Sequence, residues 1–253
     1  LDEIRRRDPA VLVPSHTKPL MNRDEIRNTL RDYRDGIQWI YDAVVRGAND
    51  LQDIDQMAET IALPDHLRTK PYLRELYGQV DWSTRGIYGS QVGWFDGRAD
   101  RLYRPKNVEA QEIVLMGGPD AVLGAAQTAH NAGQLRWAVH LLGKVRDSQL
   151  TDDALWAQPL ADAYRDLAHT LDNTNGRAYL LESALLLDSN PEPAGSAVVD
   201  DVFLQTLPMN VFFDVLGPRL KVELAADVHE SMAFEFTDTG RRYFITVRYG
   251  VAE

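Results

Sequence analysis

From Asn22 to Leu187 the apolar residues recur at steps of three and four, which confines this stretch almost wholly to helices. The first run is the longest: Ile26, Leu30, Tyr33, Ile37, Ile40, Tyr41 and Val44 share a face, with Asn22 as N-cap, Glu25 three residues on, and Gly47 as the stop. A shorter helix is expected over residues 53–60, ended by Leu63-Pro64. After a turn-rich stretch over residues 70–78, Asp81 is placed to cap a helix through Trp82, Arg85, Ile87 and Tyr88. Residues 108–116 suit one helix, and Gly117-Gly118-Pro119 breaks it and launches another at Asp120. Helices then follow in pairs over residues 121–131, 135–146, 153–171 and 177–187, with breaks at Gly133, around Thr151 and at Asn175-Gly176. The hairpin starts, Asp120 and Asp153, are offset by close to the tetratricopeptide period of about 34 residues. Two hairpins are fewer than the roughly three that an independent solenoid needs. The expectation is a mainly α protein, a helical bundle with tetratricopeptide-like hairpins, and not a peptide-binding array.

Both ends differ from this middle. Ala10-Val11-Leu12-Val13, between Asp8-Pro9 and Pro14, reads as a strand buried on both faces, which needs neighbours in a sheet; no other strand follows until far along the chain. At the other end Asn190-Pro191-Glu192-Pro193-Ala194-Gly195 has a linker's composition. Two short helices are expected over residues 198–207 and 211–216, separated by Pro208, then strands over residues 220–225, 232–237 and 243–247. Met232, Phe234 and Phe236 alternate with Ala233 and Glu235, and Asp238-Thr239-Gly240 joins the last two strands as a hairpin. A module of three strands is near the minimum for independent stability, and this one ends at Tyr249-Gly250 where another turn begins. With no initiating Met, the chain is expected to be a piece of something longer.

The chain carries 27 Lys and Arg against 38 Asp and Glu, a net charge of −11 that argues against a partner recognised by its phosphates, so no nucleic acid is expected. With no cysteine, disulfide scaffolds and thiolate metal sites are excluded. No apolar run approaches the roughly 20 residues of a membrane span. Compartment is not legible, although the lack of cysteine permits a periplasmic or secreted home.

No nucleophile elbow, phosphate loop or dinucleotide fingerprint is present, and Pro119 makes Gly117-Gly118 helix punctuation. His16 stands where the apolar run gives way to a loop, the position at which ligands bind in open α/β sheets. It is either a metal ligand or a surface loop histidine, since nothing nearby in sequence supplies the other ligands a zinc site needs. Trp82, Trp94 and Phe95 either fill a joint between helices or wall a pocket for an aliphatic ligand. Arg85 could pair with an anionic group or with any of the 38 acidic residues. In the last module Phe203, Val211, Phe212, Phe213, Phe234, Phe236 and Phe244 either line a lipid cavity or form a small core.

Four strings taken together carry more than any one residue. Val11-Leu12-Val13-Pro14-Ser15-His16, Arg85-Gly86-Ile87-Tyr88, Gly93-Trp94-Phe95-Asp96-Gly97 and Met116-Gly117-Gly118-Pro119-Asp120-Ala121-Val122-Leu123, in that order, resemble the alkylsulfatases of the metallo-β-lactamase superfamily. Gly133-Gln134-Leu135-Arg136-Trp137-Ala138 is similar to the family's next helical hairpin. The resemblance implies that residues 1–21 are the C-terminal remnant of an α/β metallo-β-lactamase domain, residues 22–190 a helical dimerisation domain, and residues 194–253 part of an α+β sterol-carrier-like domain. It implies that His16 is the last zinc-ligand histidine of a two-zinc site whose other ligands lie upstream, and that the orphaned strand has its partners there. It implies a homodimer and hydrolysis of an aliphatic sulfate ester, or binding of another amphipathic small molecule, with Trp82, Arg85 and Trp94 as candidates for the substrate pocket and no catalytic residue in this chain. One departure stands out: where the family carries a histidine near the sulfate, after the Tyr-Gly step, this sequence has Trp82 after Tyr77-Gly78. A non-catalytic helical scaffold or lipid-binding protein is the alternative.

Overall fold

The computed structural model describes residues 1–188 and 201–253. Contacts divide it into two compact units, Leu1–Pro191 and Glu192–Glu253. The first is helical. A short helix α1 (Asp2–Arg7) precedes α2 (Arg23–Asn49), whose N-cap Asn22 accepts the Asp24 and Glu25 amides at 2.9 and 3.0 Å. At 27 residues α2 is about 40 Å long. It packs against α3 (Ile54–Thr60, capped by Asp53) and α5 (Val80–Gln91), with α4 (Asp65–Arg68) between those two in sequence. Ile40, Val44, Ile54, Met57 and Tyr88 form their shared core.

A second core lies where α6 (Val108–Leu115), α7 (Pro119–Asn131), α8 (Leu135–Ser148), α9 (Asp153–His169) and α10 (Thr174–Asp188) succeed one another. Ile113, Val122, Leu141, Leu142, Val145, Trp156 and Leu160 fill it. Ala126, Ala138, Ala161, Ala163, Ala168 and Ala184 are all buried, so small side chains face inward and allow the helices to approach closely. Gly117 and Gly118 hold φ of 99° and 92°, ending α6 before Pro119 opens α7; the glycine pair is punctuation.

The second unit carries α11 (Asp201–Thr206), α12 (Met209–Asp214), α13 (Val222–Ala225) and a three-stranded antiparallel sheet in the order β1 (His229–Phe236), β2 (Arg241–Arg248), β3 (Val251–Ala252). The β1–β2 register pairs Met232 with Ile245 and Phe234 with Tyr243, and the loop closes on Gly240 at φ 66°. Tyr249 and Gly250, both at positive φ, make the tight turn into β3. Ala225, Ile245 and Val247 are the buried centre, with Phe213, Leu216, Leu220 and Val228 around them.

Mainly helical, with a small sheet at the C-terminal end, is what the periodicity predicts. Several local expectations are corrected. Residues 10–13 are no buried strand: Leu12 makes one bridge to Leu20, with hydrogen bonds of 2.9 and 2.8 Å, and Val13 is 72% exposed. Lacking a neighbour among the described residues, the segment folds back on itself to satisfy its backbone. Residues 220–225 are no strand either, because Pro218 starts a 3-10 turn, Val222–Ala225 is helical and Val251–Ala252 supplies the third strand. Gly47 and Gly176 lie inside α2 and α10 and interrupt neither. Asp81 is not the cap of α5. Gln79 holds that position, Glu75 accepts the Val80 amide at 2.6 Å, and Asp81 accepts the amide of Trp82. The linker at Asn190–Gly195 and the start of the helix expected from residue 198 lie outside the described residues.

Candidate functional site

The loop just before α5 is fastened to the start of α10 by a polar clamp built from Asn173-Thr174-Asn175. Asn173 is 3% exposed; its amide donates to the carbonyls of Glu75 (3.0 Å) and Gly78 (3.3 Å), while its Oδ1 accepts the Gly176 amide (2.7 Å) and so caps α10. The backbone amide and hydroxyl of Thr174 both donate to the Leu76 carbonyl at 2.8 Å. The Asn175 side chain donates to the Tyr77 carbonyl at 3.0 Å, and Arg74 pairs with Asp172 at 3.2 Å. Tyr77, held this way, stacks on His16 with ring centroids 5.7 Å apart and planes inclined by 27°. His16 itself is exposed, at the tip of the loop that the Leu12–Leu20 bridge closes, and among the described residues its ring nitrogens have no hydrogen bond.

Arg85 pairs with Asp55 of α3 at 2.7 Å, so it is committed to a carboxylate of its own chain. That pair belongs to a larger network. Arg101 reaches Asp55 at 3.0 Å and Asp96 at 2.8 Å, and Arg98 reaches Asp100 at 2.8 Å and Asp53 at 3.4 Å. The network ties the Gly93–Gly97 turn and the segment after it to the start of α3. The Arg85 guanidinium, with Arg101, holds the Asp55 carboxyl below the usual carboxylate range against burial. The Arg98 backbone amide, with Arg101, does the same for Asp96, and Arg98 does so for Asp100. Within the turn, Gly93 and Gly97 carry φ of 111° and 81°.

Trp82, in the first turn of α5, sets its ring edge against Gly176, where an added methyl would lie 3.5 Å away. Of the two roles open to it, packing between helices is the one these contacts support. Trp94 is 86% exposed and touches Phe95 at 5.7 Å between centroids, so it fills no joint. Two open grooves among the described residues leave out His16, Trp82, Arg85 and Trp94. One, of about 760 Å³ between α1 and α2, is bordered by Arg5, Asp8, Ile26 and Arg27. Another, of about 600 Å³, is bordered by Ile61, Leu73, Val80, Arg136 and Asn173. In the second unit Phe213 stacks on Tyr243 at 4.7 Å and touches Phe212, Phe234 and Phe236, making a core, while Phe244 points to the other face and is exposed.

The clamp and the Arg98–Arg101 network are features that motif reading overlooks. The run Asn-Thr-Asn ahead of an apolar segment is a helix-start signal, and Asp96, Arg98, Asp100 and Arg101 alternate in sign within six positions. Both signals were present.

Residues 53–190 match the alkyl sulfatase dimerisation family. The chain belongs to that family. The matched region runs from the N-cap of α3 past the end of α10, so both the clamp and the ion-pair network lie inside the alkyl sulfatase dimerisation region. The whole chain is 34% identical over 266 aligned residues to a linear primary-alkylsulfatase from a Pseudomonas strain, of which it spans 50%. An (R)-specific secondary-alkylsulfatase of Pseudomonas is 28% identical over 95% of this chain and 36% of its own length. Among solved structures, the stereoselective inverting sec-alkylsulfatase Pisa1 from Pseudomonas shares the fold with a TM-score of 0.87 at 27% identity, covering 100% of this chain and 40% of Pisa1. The chain therefore spans about half or less of the length of these relatives.

Proposed function

We propose that this chain is the dimerisation-bearing part of a zinc-dependent alkylsulfatase that hydrolyses sulfate esters of aliphatic alcohols such as dodecyl sulfate. The observation that carries this reading is likeness to alkylsulfatases along the entire chain, joined to the family match over α3 to α10. In this reading residues 1–21 end a metallo-β-lactamase domain, residues 22–190 pair two protomers, and residues 194–253 belong to a sterol-carrier-like domain. The partner is a second copy across an isologous interface.

His16 fits the part of one zinc ligand, because its imidazole is exposed and carries no competing hydrogen bond. Among the described residues no three His, Cys, Asp or Glu side chains converge to hold a metal ion, and this reading takes the remaining ligands from sequence upstream of Leu1. Two bound zinc ions would supply a water ionised near pH 7. What this chain contributes is orientation and apolar surface. Trp94 offers an exposed indole to an alkyl tail, Trp82 is packed on Gly176 and contributes its outer face, and Arg85 binds an anion only by leaving Asp55. Each buried methylene of substrate is worth about 0.8 kcal/mol, close to fourfold in affinity, so preference should rise with chain length.

The test is direct. The 253-residue chain alone should neither release sulfate from dodecyl sulfate nor retain stoichiometric zinc at micromolar concentration, whereas the polypeptide extended upstream to include a metal-binding domain should do both. Sedimentation of the chain at tens of micromolar should give twice its 28.5 kDa mass. An extended, zinc-loaded polypeptide that releases no sulfate from any alkyl sulfate would overturn the reading.

A further inference from the structure

We propose that Tyr77 is a positioning residue for His16, and that Asn173-Thr174-Asn175 acts through it. The inference rests on the reading of His16 as a functional group and names what holds it. His16 sits at the tip of a loop closed by a single bridge, Leu12 to Leu20, among the bends over residues 15–17, and such a tip has little to fix the plane of an imidazole. Among the described residues one aromatic ring stacks on that imidazole, the phenol ring of Tyr77 at 5.7 Å. Tyr77 is itself 63% exposed, so burial does not hold it.

What holds it is the clamp. Hydrogen bonds from Asn173, Thr174 and Asn175 engage the carbonyls of all four consecutive residues 75–78, Glu75, Leu76, Tyr77 and Gly78. The anchor of the clamp is the nearly fully buried Asn173, whose remaining acceptor is used by α10. A loop that only needed to connect α4 to α5 would not require every carbonyl of one turn to be bonded to a helix about a hundred residues later. The arrangement fixes a backbone segment of otherwise mobile composition, and the one side chain it presents to the N-terminal loop is an aromatic ring laid on the candidate ligand. An aromatic face permits an imidazole to keep both nitrogens free while its ring plane is set, which a hydrogen-bonding partner would not. The helical domain thereby determines the orientation of a group that belongs to the preceding segment.

The test needs no metal. In carbon-correlated spectra of the 253-residue chain, with His16 assigned by the signal lost in His16→Gln, its ring protons should be displaced from the free-histidine position by the ring current of the stacked Tyr77. Tyr77→Leu should return them to the free position, Tyr77→Phe should keep them shifted, and Asn175→Ala, which leaves Asn173 and the fold intact, should reduce the shift. In the upstream-extended polypeptide Tyr77→Leu should weaken zinc binding roughly tenfold or more, as loss of a ligand-orienting contact does, with Tyr77→Phe restoring it. His16 signals at the free position in the unmodified chain, or unmoved by Tyr77→Leu, would overturn the inference. Unchanged zinc content in His16→Ala, with the ring shift intact, would instead overturn the reading of His16 as a ligand.

Discussion

The phenol of Tyr72 donates a 2.6 Å hydrogen bond to Oδ2 of Asp32, a carboxylate only 4% exposed on the inner face of α2. Arg31 also donates to that carboxylate at 3.0 Å, Lys70 lies 3.5 Å from it, and the Tyr33 hydroxyl donates to the Tyr72 carbonyl. The pair pins the Pro71–Leu73 turn to α2 across 40 positions of sequence. Burial pushes the Asp32 carboxyl up, but the bonds from Tyr72 and Arg31, with the charges of Arg31 and Lys70, outweigh it and hold it below the usual range. Burial and the Asp32 charge push the Tyr72 phenol up to about 12. A depressed carboxylate contributes stability above its unfolded pKa of about 3.9 and loses it as pH falls below that value. A raised phenol contributes stability below about pH 10 and loses it as pH climbs from about 10 toward 12. Denaturant midpoints measured from pH 3 to 12 should therefore fall at both ends. A Tyr72→Phe chain should lose this phenol's share of the alkaline fall and show a smaller acid fall, because Asp32 keeps Arg31 and Lys70 but loses the phenol's hydrogen bond.

Removing the acceptor should cost more than removing the donor. Asp32→Ala leaves a half-buried phenol without its partner and Lys70 and Arg31 without their shared counter-charge, for about 1–3 kcal/mol. Tyr72→Phe leaves Asp32 with both cations and should cost about 1 kcal/mol. Urea denaturation at pH 7 separates the two, and a Tyr72→Phe variant less stable than Asp32→Ala would refute the ordering.

Gly47 is a contact glycine. A methyl group there would lie 2.2 Å from the Met57 sulfur and 3.1 Å from Gln52 Oε1, so the buried Met57 side chain would have to shift. Ordinarily Gly to Ala inside a helix is favourable by about 1 kcal/mol. Here overpacking should reverse the sign and leave Gly47→Ala destabilised by about 1–3 kcal/mol. At Gly176 the nearest atoms stand at 3.4–3.5 Å, so Gly176→Ala should be neutral or slightly stabilising. Thermal melts of the two variants should move in opposite directions, or one should stay still while Gly47→Ala falls.

Those two glycines show where sequence reading stops. The helices of the larger unit were legible because their apolar faces repeat over several turns, and caps such as Asn22 and Asp53 announce where they begin. Gly47 and Gly176 look like stops because a glycine's local cost is visible in sequence, while the neighbour that requires a glycine at 47, Met57, and the absence of any such neighbour at 176 are set only by packing. The strand expected at residues 10–13 failed for the same reason: four apolar residues specify burial, not the partner that would provide it. His16 was legible as a candidate from its place after that run. Tyr77 was not, because nothing in a sequence shows that two rings separated by 61 positions will stack.

The ion pairs around Arg101 should act locally, with little effect on global stability. Arg101 bridges Asp55 and Asp96, and Arg98 bridges Asp53 and Asp100, yet the arginines remain nearly half exposed, so solvent screens each pair and it adds little to stability. Their shared geometric effect is to hold the Gly93–Gly97 turn, and with it the exposed Trp94, against the start of α3. Arg101→Ala should leave the denaturation midpoint close to that of the parent while amide exchange over residues 93–101 quickens several-fold. Raising salt toward 1 M, where the screening length falls to about 3 Å, should quicken the same amides in the parent chain and change little in the variant. Equal salt sensitivity in both chains would show that the turn is held by its glycine geometry and not by charge.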